Sequence, residues 1–143
     1  MAAAGCIFCA IIDGLAPSHR VLEDATCVAF LDARPLFPGH VLVVPRIHRD
    51  TLADLKSEEV AGLFSVAQSV SRALEVALGA EGTFVAMNNR VSQSVPHAHV
   101  HVVPRRKGDG LRGFFWPRQK YASSEEAAAM ASTLREAIEP RTP

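Results

Sequence analysis

Three histidines at alternate positions, His97, His99 and His101, are the residues most capable of chemistry in this chain. Side chains at i, i+2 and i+4 of a β-strand point to the same face, so a strand here would carry a row of imidazoles. The apolar residues between them would then face the core. Burying three imidazoles as ordinary core residues would require three sets of hydrogen-bond partners. The pattern therefore favours a metal site or a nucleophile with supporting groups.

A C-x-x-C motif, Cys6 and Cys9, lies near the N-terminus. From the residues alone it could be a redox pair, two of the four ligands of a zinc ion, or two buried thiols. Its position in a segment expected to be loose argues against the redox interpretation. His48 and one histidine of the row could complete a zinc site. Cys27 falls inside a predicted strand and is interpreted as a core residue.

Polar residues precede the histidine row: Asn88, Asn89, Gln93 and Ser94. Their amides and hydroxyl could hold phosphate oxygens without adding charge, or form an ordinary polar turn.

Two further features each have two interpretations. Asp32, at the end of a predicted strand, could accept hydrogen bonds from two sugar hydroxyls or cap a turn. The basic run 105–107 could be a solvated patch or could attract the outer phosphates of a substrate.

The hydrophobic periodicity predicts the elements that must position these residues. Apolar alternation and turn residues indicate about five strands, and a change to helical spacing at Ser57 indicates a long helix that ends at Gly79 or Gly82. Ser123, with Glu126 three residues later, is typical of the start of a last helix. The predicted strands cover residues 21–22, 26–32, 40–45, 83–87 and 95–103, and Pro140 ends the last helix. Strands close in sequence with segregated helices predict an α+β fold with a mostly antiparallel five-stranded sheet, one long central helix and a C-terminal helix.

The composition is that of a globular domain, with 143 residues, 48% hydrophobic and 21% charged. This length suits a single domain over residues 1–143. No apolar run approaches the roughly 20 residues that span a bilayer, so no membrane association is expected. With 15 basic and 15 acidic residues, the chain is not expected to bind long nucleic acids. Three cysteines without an export signal predict a cytoplasmic location.

The segment His97-Ala98-His99-Val100-His101-Val102-Val103 resembles the signature of the histidine triad (HIT) superfamily of nucleotide hydrolases and transferases, which alternates histidine with apolar residues. The similarity extends over residues 6–139 and is closest in pattern to the Fhit-like and bacterial branch. Other matching segments occur in the family's order at residues 30–32, 38–45, 48, 88–89 and 93–95.

The resemblance implies a role for each matching residue. His99 corresponds to the nucleophile that attacks the α-phosphorus and forms a nucleotidyl-histidine intermediate, and His101 corresponds to the residue that holds the phosphate. His40 matches an additional active-site histidine, and Asp32 matches the acid that accepts the ribose hydroxyls.

The remaining polar matches concern the nucleotide. Gln93 and Ser94 correspond to a polar pair beside the phosphate and leaving group. Asn88 or Asn89 corresponds to a nucleotide-contacting asparagine, and a loop about two residues shorter than in many relatives leaves that choice open.

The resemblance also implies a metal. In relatives with a C-x-x-C motif, zinc is bound by the residues that match Cys6, Cys9, His48 and His97. That zinc is structural, and no catalytic metal is required because His99 is the nucleophile. Trp116 could reach a substrate across a dimer interface or anchor the last helix.

The resemblance implies a homodimeric enzyme. Its substrate would be a purine nucleoside phosphoramidate or dinucleoside polyphosphate, and its product a nucleoside monophosphate. One alternative is a nucleotide-binding regulatory module with little turnover. Another is a metal-storage or redox protein that uses the C-x-x-C motif and the histidines.

Overall fold

The computed structural model describes residues 3–112 and 118–138. It divides into two compact units, Met1–Asp109 and Gly110–Pro143. The first unit contains two helices, five strands and a 3-10 turn: α1 (Ile7–Ile12), β1 (Arg20–Glu23), β2 (Cys27–Leu31), β3 (Val41–Pro45), the turn Leu52–Asp54, α2 (Ser57–Leu78), β4 (Gly82–Ala86) and β5 (Val100–Arg105). The second contains α3 (Ser124–Ala137). The family comparison below covers part of the chain, so the single domain over residues 1–143 stays a prediction.

The five strands form one antiparallel sheet in the order β1-β2-β3-β5-β4. Leu42 of β3 and Ala86 of β4 flank His101 of β5 on either side. The predicted α+β class and five-stranded antiparallel sheet are confirmed. The register places His101 in the middle of the sheet, on a strand held from both sides.

The unbroken apolar run of β3 predicts coverage on both faces, and both faces are covered. On one face, Val41 and Val43 pack with the buried residues of α2: Leu63, Val66, Ala67, Val70 and Leu74. On the other face, Leu42 and Val44 pack with α1 and β2 through Phe8, Ile11, Val28 and Phe30. Cys27 lies in the α2-facing cluster and is 1% exposed, as its core interpretation predicts.

The long central helix begins and ends close to the predicted positions. Its N-cap is Lys56, which has an extended backbone and whose N–H donates to the carboxylate of Glu59 at 2.9 Å. Gly79 ends it in the left-handed region with φ 62°, a conformation that glycine adopts without the strain of a Cβ. Phe64 fits the helical apolar spacing of the buried face, but it is 40% exposed.

Two predictions about the elements around the histidines are wrong. The strand predicted for residues 95–103 begins only at Val100, so His97 and His99 lie in the segment before β5. The N-terminal segment predicted to be loose contains helix α1, whose N-cap Cys6 accepts from the backbone N–H of Cys9 at 3.4 Å. This short helix is stabilised by its cysteine cap and by apolar packing. Six residues are too few for the sequence to show a helical period.

The loop before His40 is shaped by glycine. Gly39 has φ 100°, and a Cβ at this position would lie 2.6 Å from Cδ1 of Leu78. Glycine is therefore required both for the backbone conformation and for the close approach to the end of α2.

In the second unit, α3 begins as predicted, with the Ser123 hydroxyl accepting from the backbone N–H of Glu126 at 3.1 Å. Trp116 and Pro140 lie outside the described residues. Within residues 3–112 and 118–138, no helix combines the length and the apolar character needed to cross a membrane.

Candidate active site and metal centre

A backbone carbonyl two residues earlier in the chain sets the tautomer of His99. Its Nδ1 lies 2.7 Å from the carbonyl oxygen of His97. Since a carbonyl can only accept, Nδ1 carries the proton, and Nε2 of the neutral ring keeps its lone pair. The ring is 3% exposed, and Phe8 packs against it edge-on with centroids 5.0 Å apart. A buried, fixed imidazole with one unprotonated nitrogen is suited to nucleophilic attack.

His101 and His40 form a hydrogen-bonded pair beside His99. Nδ1 of His101 lies 2.9 Å from Nε2 of His40, and the His99 and His101 ring centroids are 5.0 Å apart. Burial lowers the pKa of His101 to about 4, and the neighbouring histidines add to the effect. Burial also lowers the pKa of His40, with the Asp32 carboxylate partly offsetting it. Both imidazoles are therefore neutral at pH 7, and can donate and accept in a chain.

Asp32 lies at the edge of this pair. Its Oδ2 is 3.6 Å from Nε2 of His40, and its Oδ1 accepts from the backbone N–H of Arg34 at 2.9 Å. Asp32 thus caps a turn and also lines the cleft described next, so both interpretations from the sequence are compatible with its geometry.

The histidines open onto a cleft of about 740 Å³. Asp32, Ser94, His99 and His101 line one part of it. Apolar side chains line the other part: Ile7, Phe8, Ile11, Phe30, Leu31 and Val95. A cleft of this kind, mostly apolar with a few convergent polar groups, is typical of a small-molecule site.

The apolar wall from α1 was not predicted. Ile7, Phe8 and Ile11 come from a helix that sequence reasoning treated as a loose segment. The available signal was the composition of residues 7–12, Ile-Phe-Cys-Ala-Ile-Ile, which is too apolar for an unpacked terminus.

The polar residues before the triad separate into two groups. Ser94 lines the cleft. Gln93 is turned away from it, because its amide nitrogen donates to the carbonyl of Asp50 at 2.6 Å and its amide oxygen accepts from the backbone of Arg90 at 2.8 Å.

The two asparagines also make bonds within the protein. Oδ1 of Asn89 accepts from the backbone N–H of Leu52 at 2.8 Å, and the amide nitrogen of Asn88 donates to the carbonyl of Ser92 at 3.3 Å. In this structure both side chains support the loop.

Two residues of the basic run after the triad, Arg105 and Arg106, make contacts that stabilise the fold. The guanidinium of Arg105 forms an ion pair with Asp109 at 2.6 Å. The guanidinium of Arg106 donates to the carbonyls of Leu78 and Gly79, which closes the C-terminal end of α2. These two arginines are engaged in structural contacts, which neither sequence interpretation anticipated.

Cys6, Cys9, His48 and His97 come together on the other side of the triad. Their sulfur and nitrogen ligand atoms all lie within 4.8 Å of one another. Nδ1 of His97 is 3.4 Å from Sγ of Cys6 and 3.6 Å from Sγ of Cys9, and Nδ1 of His48 is 3.4 Å from Sγ of Cys9. Zinc bonds of about 2.3 Å to sulfur and 2.0–2.1 Å to nitrogen would place such atoms about 3.6 Å apart in a tetrahedron.

The outer hydrogen bonds of the two histidines also fit a metal. Nε2 of His97 donates to the carbonyl of Pro45 at 2.8 Å, and Nε2 of His48 lies 2.9 Å from Oδ1 of Asp50. These bonds hold the protons on Nε2 and leave both Nδ1 atoms free, as metal-ligating histidines require. Burial lowers the pKa of His97 to about 4, which favours the neutral form that binds metals. The donor set fits zinc.

The family model named HIT domain matches residues 14–108 of this chain. This chain belongs to the HIT family. The family resemblance predicted from the sequence is thereby confirmed.

Curated HIT relatives match over most of the chain. An uncharacterised HIT-like protein of Mycobacterium tuberculosis is 42% identical over 108 residues, which cover 74% of this chain and 75% of the relative. The adenosine 5′-monophosphoramidase hnt1 of Schizosaccharomyces pombe is 33% identical over 135 residues, covering 93% and 98%. The adenylylsulfatase HINT3 of Arabidopsis thaliana is 32% identical over 137 residues, covering 91% and 68%.

Solved structures of HIT proteins share the fold. A HIT family protein from Bacillus anthracis superposes with a TM-score of 0.88 at 32% identity, over 96% of this chain and 100% of that one. A zinc-bound histidine triad family protein from Mycobacterium smegmatis superposes with a TM-score of 0.73 at 38% identity, over 94% and 98%.

Proposed function

We propose that this HIT-family enzyme cleaves a nucleoside phosphoramidate by covalent catalysis at His99, releasing a nucleoside monophosphate. The observation that carries the proposal is the hydrogen bond from Nδ1 of His99 to the carbonyl of His97, which places the lone pair of the neutral ring on Nε2, and this ring lines the cleft. Two relatives support this class of substrate, since one is named an adenosine 5′-monophosphoramidase and the other an adenylylsulfatase.

The reaction proceeds in two displacements. In the first, Nε2 of His99 bonds to the α-phosphorus and the bond from phosphorus to the leaving nitrogen breaks, with the leaving amine taking a proton. In the second, water bonds to the phosphorus and the bond to His99 breaks, so that the free enzyme returns with a nucleoside monophosphate and a released proton. The neutral imidazole of His101 donates to a phosphate oxygen as negative charge develops on it.

The cleft suits a purine nucleotide. Asp32 accepts the ribose hydroxyls with its carboxylate, and Ser94 lies on the phosphate side. The base packs on the apolar wall formed by Ile7, Phe8 and Phe30. For Asn88, Asn89 and Gln93 to contact the nucleotide, as the family resemblance implies, the loop 88–93 would have to exchange its present internal hydrogen bonds for bonds to substrate.

We propose that zinc is held by Cys6, Cys9, His48 and His97 in a structural role. Bound zinc would neutralise the two thiolates, and its four ligands would tie α1 to the segment that carries His97. His99 lies two residues from this ligand, so the site positions the nucleophile without touching substrate.

We also propose a homodimer that forms through β4. The two edges of the sheet are β1 and β4. Edge β1 has an irregular register between Arg20 and Leu22 and carries the ion pairs of Glu23 with Arg20 and Arg46, features that discourage strand pairing. Edge β4, Gly-Thr-Phe-Val-Ala, has no charge, and Val85 is 42% exposed. A second copy pairing with β4 would satisfy this edge.

The proposed reaction is tested with a substrate panel read by mass spectrometry. Adenosine phosphoramidate, adenylyl sulfate and diadenosine polyphosphates are incubated with the zinc-loaded protein, and the protein is quenched and digested to find a nucleotidyl adduct. The proposal expects AMP as product and an adduct on His99. Faster cleavage of the polyphosphates would show that the preferred substrate is a dinucleoside polyphosphate. Tight nucleotide binding without turnover or adduct would favour the regulatory-module alternative.

A further inference from the structure

The loop between β2 and β3 reaches His40 through a backbone amide. The N–H of Leu36 lies 3.1 Å from Nδ1 of His40. The loop is held in place around this contact, since the backbone N–H of His40 donates to the carbonyl of Phe37 at 3.0 Å and that of Asp32 donates to the carbonyl of His40 at 2.9 Å.

This contact sets the direction of every hydrogen bond that follows it. An amide N–H can only donate, so Nδ1 of His40 must accept, and the neutral ring carries its proton on Nε2. That proton points to Nδ1 of His101 at 2.9 Å, which must therefore accept in turn. The neutral ring of His101 is then left with its proton on Nε2.

The fixed protons also disfavour a metal ion bound by Asp32, His40 and His101. Ligand atoms of Asp32, His40 and His101 lie within 4.8 Å of one another. A cation here would need the lone pair of Nε2 of His40, and the ring proton would have to move to Nδ1. There it would face the N–H of Leu36, donor against donor. The cluster is therefore a directed hydrogen-bond chain.

We propose that the backbone amide of Leu36 is a positioning group that locks His101 as an Nε2–H donor for the substrate phosphate, acting through His40. The proposal rests on the proposed function for its consequence in catalysis, but the tautomers themselves do not depend on it. Without the lock, His101 could also hold its proton on Nδ1 and would then present a lone pair to the phosphate oxygen.

The groups around this hydrogen-bond chain favour a proton on Nε2 of His40 and of His101. Oδ2 of Asp32, 3.6 Å from Nε2 of His40, favours a proton on that nitrogen. His99, whose ring centroid lies 5.0 Å from that of His101, is itself fixed with its proton on Nδ1. His40 is 3% exposed, and its burial disfavours a second proton on the ring.

Leu36→Pro tests the lock because proline has no backbone N–H. Leu36→Ala is the matched control, since it keeps the amide and shortens a side chain that is 54% exposed. The first measurement is the ¹⁵N chemical shifts of the histidine ring nitrogens in the zinc-loaded protein. We expect wild type and Leu36→Ala to show protonated Nε2 and unprotonated Nδ1 at His40 and at His101, and Leu36→Pro to show mixed tautomers at both.

The second measurement is the kinetics of the same three proteins. Loss of one donor to a developing oxyanion costs on the order of 10²–10³ in kcat, so partial loss through mixed tautomers should cost about tenfold relative to Leu36→Ala. KM should change less than kcat. Unchanged tautomers and kcat in folded Leu36→Pro would overturn the proposal.

If Leu36→Pro does not fold, the wild-type spectrum decides. A proton on Nδ1 of His40 in an active wild-type enzyme would refute the lock while leaving the proposed reaction intact. The expected tautomers in a protein that cleaves no nucleotide would uphold the lock and refute the reaction instead.

Discussion

Single substitutions can distinguish the role of the nucleophile His99 from that of His101. His99→Ala should reduce turnover by several orders of magnitude, because it removes the covalent route. His101→Ala should cost less, on the order of 10²–10³ in kcat, because it removes a donor to the phosphate. Steady-state kinetics with an adenosine phosphoramidate measures both, and AMP binding by calorimetry checks that each variant keeps its site. Turnover by His99→Ala within about tenfold of wild type would exclude His99 as the nucleophile.

His101 should also make the free energy of unfolding depend on pH. Its pKa is lowered from 6.5 to about 4 in the folded protein, so the unfolded chain takes up this proton more readily. The contribution is complete above pH 6.5 and is lost as the pH falls toward 4, by at most about 3 kcal/mol. Urea unfolding of wild type and His101→Gln, both zinc-loaded, should show a steeper acid loss for wild type. Parallel curves would mean that His101 is not buried in its neutral form.

The sequence predicts the types of the site residues better than their protonation. The alternation of His97, His99 and His101 indicates a metal site or a nucleophile. The C-x-x-C motif alone leaves its role open, and the zinc set with His48 and His97 comes from the family resemblance. The carbonyl that fixes His99 and the amide that fixes His40 are backbone groups, and no residue pattern reveals them. The side chain of Gln93 likewise bonds to a carbonyl 43 residues away, which spacing alone does not predict.

At the scale of elements, the strands and long helix follow from periodicity, while the short pieces depend on tertiary contacts. The run of β3 and the stripe of α2 are long enough to show their period. Helix α1 has six residues and is stabilised by its cysteines and by packing on β2. The start of β5 is delayed to Val100 because the backbone N–H of Ala98 donates to the carbonyl of Arg49 at 2.7 Å, outside the sheet ladder.

Removing the proposed zinc ligands Cys6 and Cys9 should loosen helix α1. Cys6→Ser with Cys9→Ser should eliminate metal binding, lower the thermal midpoint and reduce kcat modestly, because metal-binding free energy is also folding free energy. Elemental analysis of protein purified without an affinity tag should give about one zinc per chain in wild type and none in the variant. Cys27→Ser, which alters a cysteine in the α2-facing core that is not part of this cluster, should keep the zinc. A metal-free wild type of full stability would leave Cys6 and Cys9 as buried thiols only.

The loop before the triad contains two non-glycine residues in the left-handed region, Arg90 with φ 69° and Ser92 with φ 61°. A Cβ in this region costs about 1–2 kcal/mol. Ser92→Gly should therefore raise the free energy of unfolding by up to about 1 kcal/mol after the entropic cost of glycine. Val91→Gly, at the exposed position between them, should lower it. Urea unfolding compares the two, and a loss of stability in Ser92→Gly would show that this backbone is not strained.

At the scale of the whole molecule, the sheet edges predict how copies associate. Val85→Lys on β4 should weaken a homodimer, because it places a charge beside the pairing strand. Val21→Lys on β1, which is 48% exposed on the opposite edge, is the matched control and should leave the dimer intact. Light scattering during gel filtration gives the mass of each. A dimer that survives Val85→Lys and dissociates with Val21→Lys would place the interface on β1.

Helix α1 belongs to two binding events at once. Its N-cap Cys6 and its residue Cys9 are proposed zinc ligands, and its side chains Ile7, Phe8 and Ile11 form a wall of the cleft proposed to bind the nucleotide. Any coupling through this helix would be reciprocal, so that nucleotide would change the affinity for zinc by the same factor by which zinc changes the affinity for nucleotide. AMP should tighten zinc binding measured at equilibrium against a competing chelator, and zinc should tighten AMP binding by the same ratio. The protein would then bind zinc most tightly when nucleotide is abundant, and would lose zinc to competing ligands most readily when nucleotide is scarce.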